Sequence, residues 1–367
     1  MTDATGVALG ELTTMRVGGV AHTLLAPSTR DELVAETLDV WGSGEDWLVL
    51  GGGSNLVVAD EGFDGTVIRV LTRGIEQVGT DGERVRLRVQ AGEPWESLVE
   101  YTVAHGLAGI EALSGIPGST GAAPVQNIGA YGQEISSSLV SIEFLDYLSG
   151  DLQILSAAEL GFDYRTSALK QGKRGLVLSV DFDLVRSEQG EPVAYAQLAS
   201  SLGVELGDRV PLRTVRDTVL ALRASKGMVL DPADPDSVSC GSFFTNPIVG
   251  ENFARTLPEQ APRWANAPEP APVAVPLGEE PAAPPVQTDF RVKLSAAWLI
   301  EKAGIGRGFS LPGSRAAISS KHTLAIVNTG GATAAEVAEL ARFVQTRVFS
   351  EFGVRMLAEP VLVGVSL

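Results

Sequence analysis

Two glycine-dense stretches, LGGGSN (50–55) and GIPGSTGAAPVQNIGAYG (115–132), decide how this chain is read. LGGGSN follows the β-branched run WLVL (47–50) and leads straight into LVV (56–58) and TVIRV (66–70), so the pattern is strand, turn, strand. A Rossmann dinucleotide fingerprint needs a helix at that point, and none follows. Successive backbone N–H groups in such a turn can cradle an anion, but a plain glycine-rich hairpin turn accounts for LGGGSN equally well. The second stretch places two hydroxyls, Gln126, Asn127 and Tyr131 among small-residue turns within eighteen residues. A packed core has no use for that composition. A loop wrapped on a flat, polar ligand does, because only Gly and Ala let the backbone touch it. Two such loops on one β-rich unit fit flavin adenine dinucleotide, with its pyrophosphate on backbone N–H groups and its isoalloxazine ring against the second loop.

Outward from these loops, VRLRVQAG (85–92), SIEFLDYL (141–148), DLQILS (151–156), LVLSVDFDLV (176–185) and HTLAIVN (322–328) read as strands. PWESLVEYTVAHG (94–106) opens on Pro and closes on Gly, which marks a helix. VRDTVLALRASK (215–226), LSAAWLIEKAG (294–304) and TAAEVAELARFVQTRVFSEFG (333–353) carry helical periodicity. VRMLAEPVLVGVSL (354–367) is expected to form a strand pair or one bent strand. Nine of the twenty prolines fall in 258–286. Proline removes donors and fixes φ, so this insertion is expected to hold no regular helix or sheet and to lie extended on the surface.

The 367 residues carry 45 acidic and 28 basic side chains, a net charge of −17. That balance excludes a general nucleic-acid binder, which needs a basic face, while leaving room for a small anionic ligand held by a few local cations. The single cysteine, Cys240, excludes a disulfide framework, and His22, His105 and His322 lie too far apart for metal-ligand spacing, so no metal is expected. No apolar run reaches the ~18 residues of a membrane span, and the first residues lack a basic segment followed by an apolar one. The expected compartment is the cytoplasm.

In sum of motifs, the chain resembles the UDP-N-acetylenolpyruvoylglucosamine reductase (MurB) family. The two glycine loops are followed in family order by YRTSALK (164–170), RASK (223–226), CGSFFTNP (240–247), LSAAWLIEKAG (294–304) and LAEPVLVG (357–364). The resemblance implies an α+β fold: a two-subdomain FAD-binding unit of the vanillyl-alcohol-oxidase type over 1–227, completed by 353–367, and a substrate-binding domain over 228–352. It implies FAD and NADPH as cofactors and a UDP-sugar as substrate. NADPH reduces the flavin, which passes hydride to the enolpyruvyl ether of UDP-N-acetylglucosamine and yields UDP-N-acetylmuramate for peptidoglycan synthesis, hence for cell-wall growth and division. A monomer is expected.

The same resemblance assigns residues. FAD contacts are expected from Gly51, Gly52, Gly53, Ser54 and Asn55 of the first loop. The second loop is expected to add Ile116, Pro117, Gly118, Ser119, Gly121, Asn127, Gly129 and Ala130. Hydride addition to the CH2 carbon leaves an enolate, whose charge needs fixed donors and whose α-carbon needs a proton. Arg165 matches the enolate-stabilising position, and a guanidinium suits a carboxylate because it donates two parallel bonds. Ser242 matches the proton donor. Glu359 matches the third catalytic position, in an apolar segment that would raise its pKa. Arg223 and Lys226, three apart on one helix face, suit a diphosphate. Asn246 is expected at the diphosphate or the enolpyruvyl group, and Tyr195 matches a substrate-closing tyrosine of the family's longer branch. The loop 306–321 is longer than the family's usual segment, and Ala122-Ala123 replace hydroxyl residues of some members. Two other classes stay open: a flavin-dependent oxidase of another alcohol or sugar, and a non-catalytic flavin-binding module.

Overall fold

Thr29 begins the first helix by accepting a hydrogen bond from Glu32 N while the Glu32 carboxylate returns to the Thr29 N–H, a reciprocal cap that satisfies two orphan donors. The structure is a computed structural model that describes residues 6–265 and 290–367. The elements at its start are β1 (Ala21–Leu25), α1 (Arg30–Ser43), β2 (Trp47–Leu50), β3 (Leu56–Val58) and β4 (Phe63–Arg69). β1, β4 and β2 form a parallel sheet in that order, with α1 carrying the chain from β1 to β2. β3 does not fold back on β2. LGGGSN is therefore not a hairpin turn: the strands on its two sides pair with different partners.

The next layer contains β5 (Ile75–Asp81), β6 (Arg84–Gln90), α2 (Trp95–Ala104), β7 (Leu107–Ala108), the ribbon β8 (Gly129–Ala130) and β9 (Gln133–Glu134), β10 (Leu139–Asp146), β11 (Leu152–Ser156), α3 (Ala157–Leu160) and β12 (Gly175–Arg186). Its main sheet is antiparallel, in the order β11-β10-β12-β6-β5. β6 shows why the sheet has one wet face: Val85, Leu87 and Val89 point into the core while Arg86 and Arg88 alternate with them. Those arginines pair across the strand with Asp183 and Asp181, each at 2.8 Å. Such half-exposed pairs fix register more than they stabilise. α4 (Ala196–Leu202) and α5 (Leu212–Ala224) pack on the same unit through Leu198, Val215 and Val219.

Beyond these come β13 (Ser239–Ser242), β14 (Ile248–Gly250), α6 (Glu251–Ala254), β15 (Arg263–Ala265), β16 (Arg291–Leu294), α7 (Ala296–Lys302), β17 (Ala316–Ile318), β18 (Ala325–Asn328), α8 (Ala334–Phe352) and β19 (Val361–Val363). They make two small sheets, β13-β18-β17 and β14-β16-β15. α8 buries Val337, Leu340, Val344 and Val348 completely, the stripe its periodicity dictates. Its first N–H groups, those of Ala334 and Ala335, donate to the carboxylate of Asp60 at 2.7 and 2.9 Å.

Residues 354–367 supply one strand rather than a strand pair: β19 lies parallel with β3, in register Val361 to Leu56. The Pro-rich insertion also differs from expectation. Arg263–Ala265 pair antiparallel with β16, because the short run between Pro262 and Pro268 leaves their donors free; residues 266–286 lie outside the described residues. α5 stops at Ala224, so Lys226 lies beyond the helix, in the turn before Gly227 at φ +67°.

Candidate active site

β2 delivers Gly51–Asn55 to the edge of its sheet, directly against the second glycine loop. A Cβ on Gly52 would stand 2.6 Å from Gly118 Cα, and one on Gly51 would collide with Ser119 Oγ. The two loops thus touch backbone to backbone, and side chains there would pry them apart. Where they meet, a cavity of about 300 Å³ opens. All five residues Gly51, Gly52, Gly53, Ser54 and Asn55 line it, as do Ile116, Pro117, Gly118, Ser119 and Gly129. Gly121 lines an adjoining cavity of about 310 Å³ that shares Gly51, Ser119 and Ala122 with the first.

Asn127 and Ala130 do not line either cavity. Asn127, at φ +46°, spends its side chain on protein partners: Nδ2 donates to Glu134 Oε2 at 2.7 Å and to Asp163 O at 3.3 Å, and Oδ1 accepts from Ser136 N at 3.2 Å. Ala130 belongs to the β8–β9 ribbon.

Arg165, Ser242 and Glu359 come from three distant segments to the same cavity. Arg165 sits in a tight turn closed by Asp163 and Thr166, at φ +53°, a conformation a bulky residue adopts only when its surroundings hold it there. What holds it is its guanidinium: Nη2 donates to Gly129 O at 2.6 Å, Nη1 to Asn127 O at 3.4 Å, and Nε stands 3.4 Å from Glu359 Oε1. Ser242 ends β13 after Gly241, and its side chain makes no hydrogen bond among the described residues. Glu359 is placed beside it by backbone pairing, since Glu359 N donates to Phe243 O at 2.9 Å. Burial pushes the Glu359 carboxyl above the usual range, and the charges of Arg165 and Lys170 oppose that rise.

Two further residues belong to this cluster. Gln126 Nε2 donates to Glu359 Oε1 at 3.3 Å, while its Oε1 accepts from Asn55 Nδ2 at 2.8 Å and Lys170 Nζ at 3.3 Å. Lys170 and Asn55 also reach the Glu359 carbonyl, each at 3.3 Å. Both Gln126 and Lys170 stand inside the motifs quoted above. Their signal was a polar residue among glycines and a cation five residues past Arg165.

The expected substrate residues divide. Lys226 and Arg223 do not share a helix face. Lys226 Nζ donates to Gln197 Oε1 at 2.8 Å and lies 5.6 Å from the Tyr131 ring centre; Tyr195, 46% exposed, meets the same ring edge-on at 5.7 Å. Arg223 is 6% exposed and lines the cavity, with Nη2 donating to Met228 O at 2.9 Å and Nε unpartnered. Asn246 lies in the loop after β13, outside the cavity lining. Its Oδ1 accepts from Ala296 N at 3.0 Å, which tethers the start of α7. The half-buried imidazole of His322 is held down to about 4 by desolvation and by Lys226, Arg307 and Arg223. Among the described residues no cluster of His, Cys, Asp and Glu suits a metal, and no helix is long and apolar enough to cross a membrane.

The residues present fit FAD. Two adjoining cavities share Gly51, Ser119 and Ala122, glycine backbone too closely apposed to admit a Cβ at Gly51 or Gly52 lines the first, and a buried guanidinium nitrogen of one lining residue lacks a partner. A family model described as "FAD binding domain" matches residues 21–156, and one described as "UDP-N-acetylenolpyruvoylglucosamine reductase, C-terminal domain" matches 232–363. The UDP-N-acetylenolpyruvoylglucosamine reductase of Leifsonia xyli subsp. xyli is 61% identical, over 98% of this chain and 99% of its own length. That of Thermobifida fusca is 50% identical over 99% of each. The crystal structure of the Thermus caldophilus enzyme superposes with a TM-score of 0.64 at 27% identity, covering 98% of this chain and 99% of that one. A glycine-walled double cavity, a converging Arg, Ser and Glu, and relatives alike from end to end lead to one conclusion: the chain belongs to the UDP-N-acetylenolpyruvoylglucosamine reductase family.

Proposed function

We propose that this protein reduces the enolpyruvyl ether of UDP-N-acetylglucosamine to UDP-N-acetylmuramate, with NADPH as electron donor, as a step of peptidoglycan precursor synthesis in the cytoplasm. The observation that carries the reading is the convergence of Arg165, Ser242 and Glu359 on one glycine-walled cavity. Bound FAD supplies the hydride carrier between NADPH and the enolpyruvyl CH2 carbon.

The chain's own residues do the rest. Gly51–Asn55, Ile116, Gly118 and Ser119 offer backbone N–H groups and, with Pro117, close approach to the cofactor. Arg165, fixed by the Gly129 carbonyl and Glu359, presents a cation to the substrate carboxylate as charge builds on the α-carbon. Ser242 gives its hydroxyl proton to that carbon; an enolate is basic enough to take it. Glu359, with its pKa raised by burial, is suited to share a proton with the same group. Lys226 and Tyr195, around the Tyr131 ring, suit the nucleotide diphosphate and its closure. We read residues 1–227 with 353–367 as the FAD-binding domain and 228–352 as the substrate-binding domain of a monomer.

The test is anaerobic stopped-flow absorbance at the oxidised-flavin band. Addition of NADPH should bleach it, and the enolpyruvyl sugar nucleotide should restore it. Bleaching without recovery would discard the substrate; a protein that takes up no FAD would discard the flavoenzyme.

A further inference from the structure

Glu111 is the most deeply buried carboxylate among the described residues, 1% exposed, and no cation among them stands within ion-pair distance of it. Its partners are all N–H groups. Oε2 accepts from Gly109 N at 2.8 Å, while Oε1 accepts both from Glu191 N at 2.6 Å and from Gln133 Nε2 at 2.9 Å. A carboxylate removed from water without a cation is costly, and an apolar side chain would fill the same space. What the apolar side chain could not do is join two separate segments at one oxygen.

Those two segments carry the aromatic pair beside Lys226. Gln133 follows the tight turn Tyr131–Gly132 of the β8–β9 ribbon, whose two residues both have positive φ, +49° and +87°. A tyrosine stays in that region only when its surroundings hold it there. The Gln133 side chain helps to do so, for its Oε1 also accepts from Ala112 N at 2.7 Å. Glu191 lies four residues before Tyr195. Two glycines let its segment come so close. A Cβ on Gly190 would stand 2.9 Å from Glu111 Oε1, and one on Gly132 would stand 2.9 Å from Ala194 Cβ. On its other side the segment is bound to residues 208–210: Gly190 N donates to Val210 O at 2.8 Å, and Val193 N donates to Asp208 O at 2.9 Å. Those bonds leave its register against the ribbon open, and Glu111 closes it. Glu111 lines neither cavity.

We propose that Glu111 is a positioning residue for the sugar nucleotide: its Oε1, shared by Gln133 and Glu191, sets the Tyr131 and Tyr195 rings at their edge-on contact and so builds the wall beside which Lys226 meets the diphosphate. The inference rests on the function proposed above. Glu111 acts through the two rings, 5.7 Å apart, and through the Lys226 ammonium 5.6 Å from the Tyr131 ring centre. A wall that grips the nucleotide end, away from the reacting carbon, holds ground state and transition state alike, so its loss raises KM and spares kcat.

The test uses the FAD-loaded protein. Glu111→Gln keeps the shape but turns an amide NH2 toward one of the three donors, so one acceptor is lost. It should raise the KM for the sugar nucleotide about tenfold, the scale of one hydrogen bond to a charged group. Its kcat, flavin content and limiting rate of flavin reduction by NADPH should stay within about a factor of two of wild type. In a Tyr195→Ala background the same substitution should add at most about twofold to KM, because the residue it acts through is gone. A residue that merely supports the fold would multiply the two effects; that result, or an unchanged KM in Glu111→Gln, overturns the proposal. If Glu111→Gln does not fold, Gln133→Met decides. It keeps the carboxylate and removes the ribbon's bond to it, so a raised KM with kcat intact upholds the proposal and an unchanged KM overturns it. A wild type whose reduced flavin is not reoxidised by the sugar nucleotide is a different result and removes the proposed function beneath it.

Discussion

Nε2 of Gln126 donates to Oε1 of Glu359 at 3.3 Å across 233 residues of chain. The same carboxylate oxygen faces Arg165 Nε at 3.4 Å, so Glu359 is held between an amide and a cation. Gln126→Met should slow reduction of the enolpyruvyl substrate about tenfold, the scale of one hydrogen bond to a charged group, ~1.5 kcal/mol. Reduction of the flavin by NADPH should stay within a factor of two or so of wild type on that same reasoning. Separate stopped-flow traces of the two half-reactions check it, and equal slowing of both would mean that Gln126 supports the whole cavity.

Ser242→Ala should leave flavin reduction intact and slow substrate reduction about 10²–10⁴-fold, the worth of a general acid. Arg165→Ala should act on the same half-reaction by about 10²–10³-fold, the scale of one lost donor to a developing anion. Loss of flavin content alone in Arg165→Ala would make it a structural residue.

The burial of Glu359 has a sign that can be measured. Its folded pKa is raised by desolvation. Stability from this group is therefore fully present below the unfolded pKa and is lost as pH rises through the folded one. Glu359→Gln removes that titration. The FAD-free wild type should lose melting temperature relative to Glu359→Gln as pH rises from the unfolded carboxylate range toward neutrality; parallel curves for the two proteins would contradict it.

Gly52→Ala places a methyl 2.6 Å from the Gly118 backbone, which cannot turn aside as a side chain would. The loops must separate, at about 1–3 kcal/mol for overpacking. Flavin content and melting temperature of the purified variant should both fall, and a fully loaded variant of unchanged stability would show that the loops do not need to touch.

Asp60→Ala should cost about 1–2 kcal/mol, because the carboxylate accepts from two orphan N–H groups and lies at the positive end of the α8 dipole. Denaturant titration checks it. An unchanged midpoint would mean that Thr333 alone caps the helix.

Much of this was legible in local pattern. Helices with capping residues and strands with β-branched alternation stand where the sequence signals them, because those signals depend on near neighbours. What escaped depends on distant ones. WLVL and LVV read as strands, but nothing in LGGGSN says that β3 turns away to meet β19. α1 went unread although Thr29 and Glu32 carry the capping-box spacing. RASK looks helical to its last residue, yet the chain leaves the helix at Ser225 to reach Gly227, whose positive φ makes the turn. Asn246 and Asn127 read as ligand contacts because amides serve both ligands and caps; here their partners are Ala296 N and Glu134. Gln126 and Lys170 needed Glu359 beside them before their purpose could be seen.

The parallel pairing of β19 with β3 also imposes an order in time. Asn55 and Glu359, bonded at 3.3 Å, are 304 positions apart. A ribosome adding about 5–20 residues per second therefore exposes the glycine loops many seconds before the strand that closes them exists. Until residue 363 has emerged, Leu56–Val58 present an unpaired edge and Arg165 lacks its carboxylate. Quality control in the cell would meet a nearly finished protein with an open seam, and any event that stalls synthesis late in the chain should yield a species that is folded in its parts, empty at its centre and prone to pair with the wrong strand.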